Sequence, residues 1–245
     1  MLLGERVLFA WAAPLCAAWF FPGLPPTLPL STPAVHAVTH SVRHWDLPVT
    51  VSEFAEQAPS PAPAAPWAQK LDALHIEYVN TENAEADLRL YANDGTVDRA
   101  ALEQFDVLVA KDGHRHTIDP RSVQLMVKAA YHFGAKGVVV ISAYRPRTRH
   151  DHGPHTTGAA IDFQLPGVAA RTLAAYLRKE PKAGVGIYTN PRTQFVHLDS
   201  REQSYHWLDA SPPRVVWREK RLTDPNREVR DAAYVPNDDL PEHRD

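Results

Sequence analysis

The chain has 245 residues, enough for one sizeable domain with flanking segments. Its formal net charge of −3 leaves no basic footprint, which speaks against a nucleic-acid partner. The single cysteine, Cys16, excludes disulfides within the chain and keeps thiolates out of any metal site downstream.

Arg6 is followed by an apolar run from Val7 to Phe21 with Pro14 in its middle. That length suits the hydrophobic part of an export signal and is short for a membrane span. Val35-His36-Ala37 supplies small residues for cleavage. Residues 1–37 therefore read as a signal peptide or an uncleaved N-terminal anchor, and the protein as periplasmic or secreted. Any membrane contact would come through that segment alone. Cys16 falls inside it, but Pro14-Leu15 do not give the small residues of a lipid-attachment site. Residues 38–66 are rich in proline and alanine and read as an extended linker.

Residues 67–212 hold the periodic patterns. Leu74 to Val79 and Ala86 to Tyr91 alternate as a pair of strands, and Asn93-Asp94-Gly95 supplies a turn. Thr96 or Asp98 can cap a helix carrying Leu102, Phe105, Leu108 and Val109. After Ile118-Asp119-Pro120, helical spacing buries Val123, Leu125, Met126, Ala129 and Ala130, with Gly134 as the stop. Gly137 to Ile141 is a fully apolar central strand that delivers Ser142-Ala143-Tyr144-Arg145 at its end. A further strand follows at Ala159 to Phe163, then a helical repeat from Val168 to Leu177. Strands at Gly184 to Tyr188 and Gln194 to Ser200 complete the sheet. Strands and helices in this order give an α+β domain. Residues 213–245 are charged, rich in proline and without a strong apolar face, which predicts a mobile tail.

Two of these strands carry chemistry. Alternation places Ala160, Asp162 and Gln164 on one face of the first, and Phe195, His197 and Asp199 on one face of the second. If the strands pair, Asp162 and His197 meet. His155 arrives from the preceding loop, and Gly158 permits the turn back. Two imidazoles and a carboxylate match the three protein ligands of a catalytic zinc, which leaves a fourth position for water. We therefore expect one zinc ion per chain on His155, Asp162 and His197. The competing possibility is a hydrogen-bonded polar cluster without metal.

Five blocks carry a resemblance. Ser142-Ala-Tyr-Arg145, His155-x-x-Gly-x-Ala-x-Asp162, Leu165-Pro-Gly167, Gly184-Val-Gly-Ile-Tyr188 and Phe195-Val-His-Leu-Asp199 occur in that order. Together they resemble the YcbK-like branch of the zinc D-Ala-D-Ala carboxypeptidase and murein endopeptidase family, over residues 72 to 210. The resemblance implies a central, mostly antiparallel sheet flanked by helices, of the hedgehog/D-Ala-D-Ala peptidase kind. It also implies one zinc ion on His155, Asp162 and His197, and peptidoglycan peptides as substrate. Arg145 falls on the arginine that holds a substrate oxygen or carboxylate. Two departures stand out: the loop from Arg145 to His155 is short and rich in histidine and arginine, and Gln194 and Phe195 occupy the places where relatives carry a general base.

The expected activity is zinc-dependent hydrolysis of peptide bonds in the stems or crosslinks of bacterial peptidoglycan. The alternative is a non-catalytic, zinc-stabilised module that binds cell-wall peptides. Asp199 is a candidate base, or a group that orients a histidine ligand. His150 and His152 are candidates for proton transfer. His114 and His116 carry no expected role, and Tyr205 and Trp207 are expected to cover the sheet edge.

Overall fold

A computed structural model describes residues 65–81, 84–111, 113–149, 153–212, 215 and 219–241. The expected export segment and nearly all of the linker lie outside the described residues, as do His150 and His152. No helix among the described residues is long and apolar enough to cross a membrane.

After a single helical turn, α1 (Pro66–Gln69), the strand pair forms β1 (Leu74–Tyr78) and β2 (Glu85–Leu88), which are antiparallel. Helix α2 (Arg99–Leu108) is capped by Asp98, whose carboxylate accepts from Ala100 N at 2.8 Å. Helix α3 (Pro120–His132) begins with proline and is capped by Asp119, which accepts from Arg121 N and Ser122 N. The chain then runs through β3 (Gly137–Ser142), β4 (Ala160–Gln164), α4 (Ala170–Leu177), β5 (Ala183–Tyr188) and β6 (Val196–Ser200).

Two further strands follow, β7 (Tyr205–Asp209) and β8 (Lys220–Arg221), and then the short helix α5 (Arg227–Ala232). One sheet of eight strands results, in the order β2-β1-β3-β4-β6-β5-β7-β8. It is mixed but mostly antiparallel: only β1 with β3 and β5 with β7 run parallel. This is the expected α+β architecture.

The core lies between the sheet and α3 and α4. Ile161, Phe163, Val185, Ile187, Val196 and Leu198 point to that side and pack with Leu125, Met126, Leu173 and Leu177. Alternation leaves Asp162, Gly184, Gly186, His197 and Trp207 for the opposite face. Trp207 therefore sits within a strand beside β5, not over an edge as the sequence suggested.

The C-terminal segment also departs from expectation. Its described part, 219–241, packs on the domain through polar anchors. Asp239 accepts from Arg121 Nε at 2.9 Å, and Asp238 O accepts from Lys128 Nζ at 2.5 Å. Asp231 takes Lys182 N, Ser204 N and Ser204 Oγ. A reading that looks for an apolar face does not see an attachment made of charges.

Candidate metal centre

His155 occupies a 3-10 turn, Pro154–Thr157, closed by Gly158 at φ +76°. A Cβ on Gly158 would lie 2.2 Å from Thr117 O, so only glycine lets the turn approach the residues ahead of α3. Asp119 N donates to Gly158 O at 2.9 Å, and Ser122 Oγ donates to Ala159 O at 2.7 Å. The capped end of α3 is thereby tied to the turn. Arg145 N, at the end of β3, donates to His155 O at 3.1 Å and fixes the turn from the other side.

The imidazole of His155 is oriented by its backbone neighbour. Nδ1 lies 2.5 Å from Ala143 O, and a carbonyl only accepts, so Nδ1 carries the proton. Nε2 then presents a lone pair 3.2 Å from Asp162 Oδ1 and 3.1 Å from His197 Nδ1. Asp162 and His197 are direct register partners of β4 and β6, as strand alternation anticipates. In His197, Nε2 donates to Asp199 Oδ2 at 2.9 Å, which leaves Nδ1, 2.8 Å from Asp162 Oδ1, as the atom that shares a proton with that carboxylate until a cation displaces it.

Three electron-pair donors thus face one another. The three ligand atoms lie within 4.8 Å of one another, and each residue is at most 4 % exposed. Such a donor set is satisfied by a cation, and two imidazoles with one carboxylate fit the three-ligand set of a catalytic zinc.

The two carboxylates and two imidazoles perturb one another's ionisation. Burial alone would lower the pKa of His197, but hydrogen bonds to Asp162 and Asp199 outweigh it and push it up to about 9. Burial would raise Asp162, yet His155 and His197 hold it well below the usual carboxylate range.

Asp199 is fully buried, and its two oxygens accept from Arg201 Nε, at 2.5 Å, and from the Arg201 terminal nitrogen. Its burial disfavours ionisation, but His197 and Arg201 together hold its pKa down. It shares a sheet face with His197, as expected. However, it meets the Nε2 edge of the ring, whereas Nδ1 faces the cluster. Asp199 therefore stands behind His197, on the side of the ring away from the cluster.

Room for this arrangement comes from two glycines on β5. A Cβ on Gly184 would lie 2.1 Å from Asp199 Oδ2, and one on Gly186 would lie 2.4 Å from the Trp207 indole. Trp207 covers His197 with ring centroids 4.8 Å apart. Sequence reasoning missed Arg201, although it extends the His197, Asp199 alternation by one more step. It also missed the paired glycines, which mark where bulky neighbours cross.

On the solvent side, Asp162, Arg145 and Phe195 line one groove of about 860 Å³. Phe195 stacks on Tyr188 at 4.3 Å and forms a wall, while Gln194 lines a separate small cavity. His116, to which no role was assigned, stacks flat on the groove residue Tyr144 at 3.8 Å. His114 closes a turn with Lys111. Glu219, just ahead of β8, is a carboxylate in electrostatic reach of His197. Partial desolvation raises its pKa, against the pull of His197 and Arg201.

A family model described as peptidoglycan L,D-endopeptidase MepK matches residues 67–207, a span that contains the whole cluster. Neither curated proteins nor solved structures yield a match.

Proposed function

The chain belongs to the family of the peptidoglycan L,D-endopeptidase MepK and is a metallopeptidase, and on that premise we propose that it cleaves L,D peptide bonds of peptidoglycan with one zinc ion held by His155, Asp162 and His197. The observation that carries the metal is the convergence of three ligand atoms, two of them on imidazoles whose other nitrogens are already committed: Nδ1 of His155 to Ala143 O, and Nε2 of His197 to Asp199. When bound there, zinc polarises the scissile carbonyl and brings the pKa of its water close to neutral.

The residues of the chain supply the rest. Asp199, held by Arg201, fixes the tautomer and angle of His197, as carboxylates behind metal-bound histidines do. Trp207 shields the opposite side of that ring from water. Arg145, tied by its backbone to His155 and lining the same groove as Asp162, holds a substrate oxygen or carboxylate as negative charge develops. Phe195, at a place where relatives carry a base, serves as a groove wall.

Because peptidoglycan lies outside the cytoplasm, we assign the protein to the periplasm or exterior, with residues 1–37 as the export signal or anchor. The test is incubation of the zinc-loaded chain with purified crosslinked muropeptides, followed by mass spectrometry. Cleavage between an L and a D centre that stops on chelation is the expected result. Cleavage that survives complete metal removal, or products of D,D cleavage only, would overturn the reading.

A further inference from the structure

The groove that begins at Asp162 extends well past the metal cluster. Its lining includes the turn after β1, at Asn80 and Thr81, the C-terminal end of α2, and Lys111 beyond that helix. Its middle is apolar: Tyr78, Val107 and Leu108 line it, and Val107 is 60 % exposed on a helix whose other face is in the core. Its far rim is fixed by a tight turn. Lys111 N donates to His114 O at 3.2 Å, His114 N donates to Lys111 O at 2.8 Å, and Gly113 takes φ +74°. Lys111 is thus exposed on a backbone that this turn braces. Among the described lining residues, two are cations, Arg145 and Lys111, and one is a carboxylate, Asp162, which the metal would neutralise. Arg145 follows β3, next to the strand that bears Asp162, whereas Lys111 follows α2, which packs against β2 two strands further along the sheet, so an anionic occupant meets one positive group beside the reacting bond and another at a distance from it.

We propose that Lys111 binds a second carboxylate of the substrate, remote from the scissile bond, and so makes the groove selective for stem peptides whose side-chain carboxylates are free and not amidated. The inference rests on the peptidase reading of the site. Peptidoglycan stems carry glutamyl and diamino-acid carboxylates that occur in both forms, so recognition of charge at this distance distinguishes two chemically real substrates. The apolar middle of the groove takes the intervening aliphatic chain. A bidentate clamp is not required: a lysine acts as a point charge and tolerates different carboxylate angles.

A lysine beyond the end of α2 also complements the helix dipole, so the test reads KM and not stability. The zinc-loaded full chain is assayed on a crosslinked muropeptide dimer with free carboxylates and on the same dimer amidated. Wild type should show a KM about tenfold lower for the free form, the scale of one charge-assisted hydrogen bond at a solvent-facing rim. Lys111→Ala should lose that preference with kcat retained, Lys111→Arg should keep it, and Lys111→Glu should reverse it. Persistence of the preference in Lys111→Ala would overturn the proposal. If wild type cleaves neither dimer, the peptidase reading fails, and calorimetric binding of the same two dimers still decides on Lys111. Discrimination lost in Lys111→Ala supports its role, and equal binding of both dimers to wild type removes it.

Discussion

Around α3, two groups of charged side chains lie out of water. On one side Lys128 donates to both oxygens of Glu180, at 2.9 and 2.8 Å, and to Asp238 O. Nearby, Arg121 spends its nitrogens on Asp239, Lys182 O and Pro181 O. Each cation there has its anion and each donor its acceptor. On the other side His155, Asp162 and His197 turn their ligand atoms toward one another, and Asp199, paired with Arg201, stands behind them. The first group matches its fixed charges without any addition. The second lacks a fixed positive charge at its centre, and only a proton on His197 or a cation in that proton's place supplies one. Both are buried, so burial of charge by itself does not mark a site; incomplete pairing does.

The largest effect should come from removing a donor of the incomplete group. His155→Ala or His197→Ala should lose stoichiometric zinc by metal analysis and cut turnover by on the order of a thousandfold, with the fold retained by circular dichroism. Stoichiometric zinc in both variants would break the contrast. Acid should act in the same direction. With the metal-free pKa of His197 at about 9, zinc displaces a proton below that pH. Affinity should therefore fall about tenfold per pH unit on acidification.

Removing a partner from the complete group should do something different. Lys128→Met leaves Glu180 buried and unpaired and should cost about 3–5 kcal/mol in urea unfolding, while zinc binding per folded molecule is unchanged. A loss of metal without a loss of stability would place this pair in the site after all.

The smallest of the three effects sharpens the role of Asp199. Asp199→Asn should weaken zinc affinity or turnover by about 10- to 100-fold, the range for a group that orients a metal-bound histidine. A fall near 10,000-fold with zinc affinity intact would instead identify it as the proton acceptor.

What the sequence shows of this molecule follows from which forces leave a periodic trace. The pairing of Asp162 with His197 was legible because strand alternation has period two, and because the apolar partners Ile161, Phe163, Val196 and Leu198 fix which face is buried. The capped start of α3 was legible from Asp119-Pro120. Strand β8 leaves no such trace, since it is two exposed cations paired to Trp207 and Leu208. Strand β7 alternates, but its aromatic residues also suit a cover over an edge, and only the glycines of β5 show where they go. The position of Asp199 relative to the ring depends on which nitrogen each carboxylate meets. That is a matter of a few ångströms that no spacing encodes.

The polar clasp has a consequence for how this protein can be cut. The stretch shared with the family ends at residue 207, yet α3, in the middle of that stretch, finds anions and acceptors at Asp238 and Asp239. Ser204 and Lys182 likewise lean on Asp231. Homology and folding therefore draw different borders here. A fragment trimmed to the shared span would carry every residue of the metal centre and strand Arg121 without its carboxylate, so its failure in an assay would report the missing clasp and say nothing of the chemistry.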